Sequence, residues 1–271
     1  MEENLNYNVS EDDSNKEKVS FSDKVIGIFV SPNETLTMLS KRQAKASDWV
    51  IPLVIMVIVV GISNLVYFYS PNLKVQLQEK QFEAIDKSVN ERVKQGELSP
   101  EHAKTQIETA KKQIENFGII GLIFQVIGTA IFLFINFLIV NGVFYLLIKY
   151  ILKGEGNFNL AMSAYGSVYY VLILQAIFAL LLTLLMDKFV TGLNYFSFTE
   201  VEMMSLEGFI YRKIDLFLIW FYALLGMSYA KFFRATDIKR YIILVFAVWI
   251  ITNVLFYYLS TVSIYFQGLA M

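Results

Sequence analysis

The sequence lacks the residues on which several kinds of functional site depend. It has 0 cysteines, which excludes disulfides, thiolate chemistry and cysteine metal sites, and its 1 histidine excludes multi-histidine zinc or haem sites. Charged residues make up only 17%, the formal net charge is -1, and the lysines and arginines are scattered. The electrostatic footprint of a nucleic-acid partner is therefore absent. We expect no cofactor and no metal.

Apolar residues dominate what is present. They account for 56% of the 271 residues, and the mean hydropathy is +0.50. Five continuous apolar blocks each reach the length of about 20 residues that a helix needs to cross a bilayer. They lie at 49–69, 118–151, 160–186, 214–233 and 241–266. The sequence predicts an all-α integral membrane bundle of five transmembrane helices.

The polar segments around the first block divide the chain further. Residues 1–20 are acidic and low in apolar content, and we expect a disordered tail rather than a secretory signal. Residues 21–47 predict two interfacial amphipathic helices, here called the elbow. The second of these helices should begin at Ser31-Pro32, with Glu34 completing a capping box.

A single long polar insert separates the first two blocks. Apolar residues recur there at helical spacing in two stretches, with a restart at Ser99-Pro100. We predict an extramembrane helical hairpin over 71–117, after a first span at 48–70. The remaining 118–271 then carries the other four spans.

Basic residues in two short loops give an orientation. Lys149 and Lys153 flank one loop, and Lys231, Arg234 and Arg240 lie at the other. By the positive-inside rule both loops are cytoplasmic, which puts the N-terminus in the cytoplasm and the C-terminus outside.

Three stretches resemble the Yip domain, named for the Ypt/Rab-interacting proteins. They are 28–36 (IFVSPNETL), 49–53 (WVIPL), and 156–166 (GNFNLAMSAYG), the last with a small-Tyr-small motif. The positions that carry this resemblance are Ser31, Pro32, Glu34, Pro52, Tyr165 and Gly166. It implies a multi-span, non-enzymatic membrane protein, linked in eukaryotes to membrane traffic. The Asp-Leu-Tyr-Gly-Pro motif of the eukaryotic branch is absent, which favours a prokaryotic member in the plasma (inner) membrane.

Two functions fit this sequence, and neither is an enzyme. Catalytic pairs for intramembrane hydrolysis are missing, because His102 stands alone in the polar insert. The first hypothesis is a scaffold that organises the bilayer or recruits protein partners, including further copies of itself. The alternative is a permease or channel for ions or small solutes that uses amides inside the spans, chiefly Asn136, Gln175 and Asn253.

Overall fold

The computed structural model describes residues 20–190, 192–199 and 205–262. These residues form helices joined by short connections, which confirms the all-α class. The predicted tail lies outside the described residues except for Ser20, whose hydroxyl accepts the backbone N–H of Asp23 at 3.0 Å. The last residues of the fifth predicted span, 263–266, also lie outside them.

Two short helices precede the first long one. Helix α1 covers Phe21–Val30 and α2 covers Pro32–Lys41. Pro32 occupies the first position of α2, where its missing N–H leaves no helical hydrogen bond unmade. The predicted capping box is wrong, because the Ser31 side chain makes no cap hydrogen bond.

Proline also separates the next helices. Helix α3 covers Ser47–Tyr69, α4 covers Pro71–Lys94 and α5 covers Pro100–Glu115. The Ser70 hydroxyl accepts the N–H of Leu73 and so caps α4.

The second and third apolar blocks form three helices. Helix α6 covers Ile119–Tyr150, and its 32 residues extend about 48 Å at the α-helical rise, well beyond the hydrocarbon core. The third predicted span is interrupted: α7 covers Phe158–Val168 and α8 covers Tyr170–Met186. At Tyr169 the hydrogen bonds shorten to the i→i−3 type, with its N–H bonded to the Gly166 carbonyl.

Three helices complete the described chain. Helix α9 covers Leu206–Lys213, α10 covers Leu216–Phe232 and α11 covers Ile238–Val262. Four apolar helices are long enough to cross a membrane: α3, α6, α7–α8 taken together, and α11. Helix α10 coincides with the fourth predicted span but has only 17 residues.

Helix α7 lies at the centre of the bundle. Every residue from Ala161 to Val168 is buried, and α7 contacts α3, α6 and α10. Alanine, serine and glycine supply much of this helix, and small side chains allow helices to approach closely in a membrane. Helix α2 packs on α10, and α1 contacts α2 and α8, so the elbow lies against the bundle.

Candidate functional site

A buried carboxylate joins the elbow to the first long helix. Oδ1 of Asp48 accepts hydrogen bonds from Nζ of Lys24 at 3.1 Å and Nη2 of Arg42 at 2.6 Å. Its Oδ2 accepts the backbone N–H of Lys45 at 3.0 Å. Asp48 is 4% exposed and Lys24 is 6% exposed, so removing either one would strand a buried charge. These four residues are called the Asp48 cluster.

Local structure explains why a carboxylate occupies this position. Asp48 lies in the first turn of α3, where the helix dipole and free N–H groups favour a negative charge. Burial lowers the pKa of the Lys24 ammonium, and the charge and hydrogen bond of Asp48 oppose that shift. Sequence reasoning missed this cluster. The available signal was one acid placed directly after Lys41, Arg42 and Lys45.

Two of the positions predicted from the Yip resemblance meet at the same turn. A Cβ at Gly166 would lie 2.5 Å from the carbonyl oxygen of Asp48 and 2.5 Å from Cα of Trp49. Pro52 lies four residues after Asp48, at the position whose N–H would normally bond that carbonyl in a helix. Proline has no N–H, so this hydrogen bond is missing. Gly166 thus brings α7 close to the Asp48 carbonyl of α3, and Pro52 leaves that carbonyl without its usual helical partner.

Tyr165 points into a group of aromatic rings beside this contact. Its ring centroid lies 4.9 Å from that of Phe137, 5.6 Å from that of Tyr169 and 5.6 Å from that of Phe221. Phe137 in turn stacks on Trp49 at 5.8 Å. Edge-to-face and offset ring contacts of this kind stabilise packed helices. Tyr165 thus links α6, α7 and α10 inside the bundle.

The other three predicted motif positions lie in the elbow. Ser31 and Pro32 form the turn between α1 and α2, and the N–H of Ser31 bonds the Gly27 carbonyl at 2.9 Å. Glu34 is exposed in the first turn of α2. The six positions therefore divide into a turn in the elbow and a contact within the bundle.

The predicted in-span amides do not come together. Asn136 is exposed on α6, Gln175 donates to Oδ2 of Asp215 at 2.9 Å, and Asn253 donates to the carbonyl of Trp249 in its own helix at 2.7 Å. Asp215 is buried and also accepts the first N–H groups of α10. Among the described residues, no hydrogen bond links one of these three amides to another.

A different amide occupies the core. Asn141 is fully buried on α6, accepts the hydroxyl of Tyr229 at 3.2 Å and donates to the carbonyl of Phe137 at 2.9 Å. The Ser228 hydroxyl donates to the carbonyl of Ala164 at 2.8 Å. Polar side chains thus connect α6 and α7 to α10, as in other membrane bundles.

A polar cleft of about 770 Å³ lies at the end of the bundle that carries the elbow. Three separate segments line it: the end of α2, the α6–α7 loop and the α10–α11 loop. We call it the basic cleft. Its charged residues are Lys41, Arg42, Lys153, Glu155, Arg234, Asp237 and Arg240. The loops that carry the positive-inside signal therefore meet at one end of the protein.

Comparison with protein families settles the relationship of this chain. Residues 26–259 match the model of the Yip1 domain, a range that contains all six predicted motif positions. The chain belongs to the Yip1 domain family. The resemblance predicted from the sequence is confirmed, and the apolar helices make this family member an integral membrane protein. The family acts in membrane traffic and is not known for enzyme activity.

Two further comparisons gave no match. No curated protein matches the chain, and no solved structure does.

Proposed function

We propose that this Yip1-family protein is a non-enzymatic scaffold that organises the bilayer or recruits protein partners through its N-terminal tail, its elbow and its α4–α5 hairpin. The observation that carries this proposal is the arrangement of α1. Lys24 and Ile28 face inward and are buried, whereas Ile26 is 58% exposed and Val30 is 77% exposed. Helix α1 is thus bound to the bundle on one face and apolar on the other.

The outer face of α1 suits a role at the membrane surface. Isolated exposed apolar residues are common, but Ile26 and Val30 are four residues apart and share one side of a helix. A short helix with an exposed apolar face at a bilayer boundary inserts into the headgroup region or binds another protein. The Asp48 cluster holds that face in a fixed position on the bundle.

The proposal includes five spans, with α10 as the fourth. Its 17 residues extend about 26 Å, slightly less than the hydrocarbon core. The basic cleft supports a full crossing, because its lining joins the elbow to the loops before α7 and after α10. With five crossings, the elbow and the end of α11 lie on opposite sides of the membrane.

The α4–α5 hairpin belongs at the opposite end of the bundle. Nδ2 of Asn72 donates to the carboxylate of Asp187 at 2.6 Å, and Nε2 of Gln76 donates to its carbonyl at 2.9 Å. The base of α4 is thereby tied to the loop after α8. Lys111 of α5 pairs with Asp86 of α4 at 2.9 Å. We propose that this hairpin is extramembrane, with the N-terminus cytoplasmic and the C-terminus outside a prokaryotic plasma membrane.

The division of the chain follows this topology. The proposed parts are the tail (1–20), the elbow (21–47), the first span (48–70), the hairpin (71–117) and the four-span remainder (118–271). A permease would need its in-span amides along a shared passage. Asn136, Gln175 and Asn253 have separate surroundings, which supports the scaffold over transport.

The experiment compares vesicle shape with the outer face of α1 intact and altered. Full-length protein is reconstituted into liposomes, and vesicle outlines are measured by electron cryomicroscopy. Wild-type protein should change the outlines relative to empty liposomes, and I26S/V30S should abolish the change. The control is L206S/I210S on α9, outside the tail, the elbow and the hairpin; these two side chains are also four residues apart and are 53% and 45% exposed.

Photo-crosslinking tests whether the outer face of α1 binds a protein partner. A photo-reactive residue at position 26 or 30 is used in native membranes, with position 206 on α9 as the control. Unchanged vesicle outlines together with no discrete protein adduct specific to positions 26 and 30 would contradict the scaffold.

A further inference from the structure

We propose that the basic cleft binds the phosphate of an anionic phospholipid headgroup. The cleft is a binding site at the bilayer boundary, separate from the apolar face of α1. The inference requires only that the protein lies in a membrane, and it holds whether or not the elbow acts as a scaffold.

The lining of the cleft has an excess of positive charge. Five cationic side chains line the cleft, Lys41, Arg42, Lys153, Arg234 and Arg240, against two carboxylates, Glu155 and Asp237. The difference is three positive charges. Clusters of basic residues beside membrane helices attract anionic headgroups, and pockets between helices bind them.

Most of this positive charge is free to act on a ligand. Arg42 is bound to Asp48, and Arg240 pairs with Asp237 at 3.4 Å. Within the described chain, Lys41, Lys153 and Arg234 form no salt bridge. These three come from three different segments, and all three are exposed. A phosphate between them would contact one cationic side chain from the elbow and one from each of the two loops.

Two of the basic residues in the cleft have an unusual backbone conformation. Lys153 has φ 54° and Arg234 has φ 52°, the left-handed region that favours glycine. Each follows the end of a helix, α6 or α10, at the kind of position where glycine is common. A basic residue there carries a backbone cost that glycine would avoid, which points to a use for its side chain.

The one other non-glycine residue with positive φ in the described chain supports that reading. Asp187 has φ 48°, and its carboxylate accepts a hydrogen bond from Asn72 at 2.6 Å. Its side chain has a partner within the protein. Among the described residues, Lys153 and Arg234 have no such partner, and both line the cleft.

The remaining lining suits a headgroup. Arginine binds phosphate oxygens with two parallel N–H groups, and lysine adds a mobile point charge. Hydroxyl and amide groups of Thr236 and Asn157 also line the cleft, beside the apolar side chains of Leu160 and Phe233. Polar and apolar groups side by side match the boundary between a headgroup and its acyl chains.

Glycine substitution gives a test that does not damage the fold. In K153G/R234G both charges are lost while the left-handed backbone becomes easier to adopt. The variant should therefore melt at or above the wild-type temperature. K104Q/K112Q removes the same number of charges from exposed positions on α5 and is the matched control.

Lipid binding is measured by native mass spectrometry of the full chain titrated with phosphatidylglycerol or phosphatidylcholine. Wild type and K104Q/K112Q should prefer phosphatidylglycerol. K153G/R234G should bind it about 30-fold more weakly, as expected for two basic residues near an anionic surface, with binding of phosphatidylcholine unchanged.

Two results would overturn the proposal. The first is an unchanged preference in K153G/R234G, or an equal loss in K104Q/K112Q. The second concerns the source of the phosphate: if glycerol phosphate or inorganic phosphate displaces phosphatidylglycerol at equal concentration, the cleft is a site for a soluble phosphate. Failure of both soluble ions to displace phosphatidylglycerol supports the lipid.

Discussion

Gly166 in α7 lies directly against the carbonyl group of Asp48 in α3, where a Cβ would approach the oxygen to 2.5 Å. The same Asp48 holds Lys24 of α1 and Arg42 through its carboxylate. One residue therefore fixes the elbow through its side chain and the centre of the bundle through its backbone. The elbow and α7 are connected mechanically by this single turn of α3.

Substitution of Gly166 tests the closeness of this contact. Gly166→Ala should lower the free energy of unfolding by about 1–3 kcal/mol, because the obstructing atoms belong to the backbone of α3. The measurement is detergent-solubilised stability of the purified protein. Gly142→Ala in α6 is the control: nothing lies within 4 Å of its Cβ, and alanine there should be neutral or stabilising. Equal effects at both positions would contradict the account.

A double-mutant cycle tests the Asp48 cluster. Asp48→Asn should lower the free energy of unfolding by roughly 3 kcal/mol, since Lys24 is left buried without its carboxylate. In a Lys24→Met background the same change should have a clearly smaller effect. Strictly additive losses would show that the two charges do not interact.

Sequence alone predicted most of the membrane helices but little of the site. Long apolar runs reveal helices because any span needs about 20 apolar residues, and four of the predicted blocks form helices of that kind. The break at Tyr169 was not predicted, because hydropathy is continuous across it. It lies three residues after Gly166, whose close packing against α3 is a property of neighbouring helices that hydropathy does not report.

Two asparagines on α6 test how strongly burial determines the contribution of an amide side chain to the free energy of unfolding. Asn141→Ala should cost about 1 kcal/mol or more, because it removes hydrogen bonds to Tyr229 and Phe137 in the core. Asn136→Ala should stay within about 0.5 kcal/mol of wild type, because Asn136 is exposed. Unfolding in detergent measures both. A larger loss at Asn136 would indicate a contact that the single chain does not contain.

The absence of cysteine allows a direct test of the five-span topology. Single cysteines are placed at Gln43, Glu155 and Thr236 on one side, and at Gln95 and Lys188 on the other, all at exposed positions. In sealed right-side-out vesicles, a membrane-impermeant maleimide should label only the second set. Labelling of Thr236 together with Lys188 would show that α10 does not cross the membrane.

The candidate site could not be derived from sequence because its parts are brought together by packing. Lys24 and Asp48 lie in different helices, and no periodicity pairs them. Asn136 and Gln175 are both predicted site residues because they lie within predicted spans. Asn136 is exposed on the outside of the bundle, whereas Gln175 donates a hydrogen bond to Asp215. Hydropathy identifies which residues are in lipid, but it does not show which of them face the protein.

Flux across sealed liposomes, recorded together with vesicle outlines in the same preparation, tests the scaffold most directly. Reconstituted full-length protein should pass ions and small solutes no faster than empty liposomes, while changing vesicle outlines there or giving a discrete protein adduct at position 26 or 30 in native membranes. Flux above the empty control that disappears in Asn136→Ala or Gln175→Ala, in protein that remains folded, would contradict the scaffold and favour a permease.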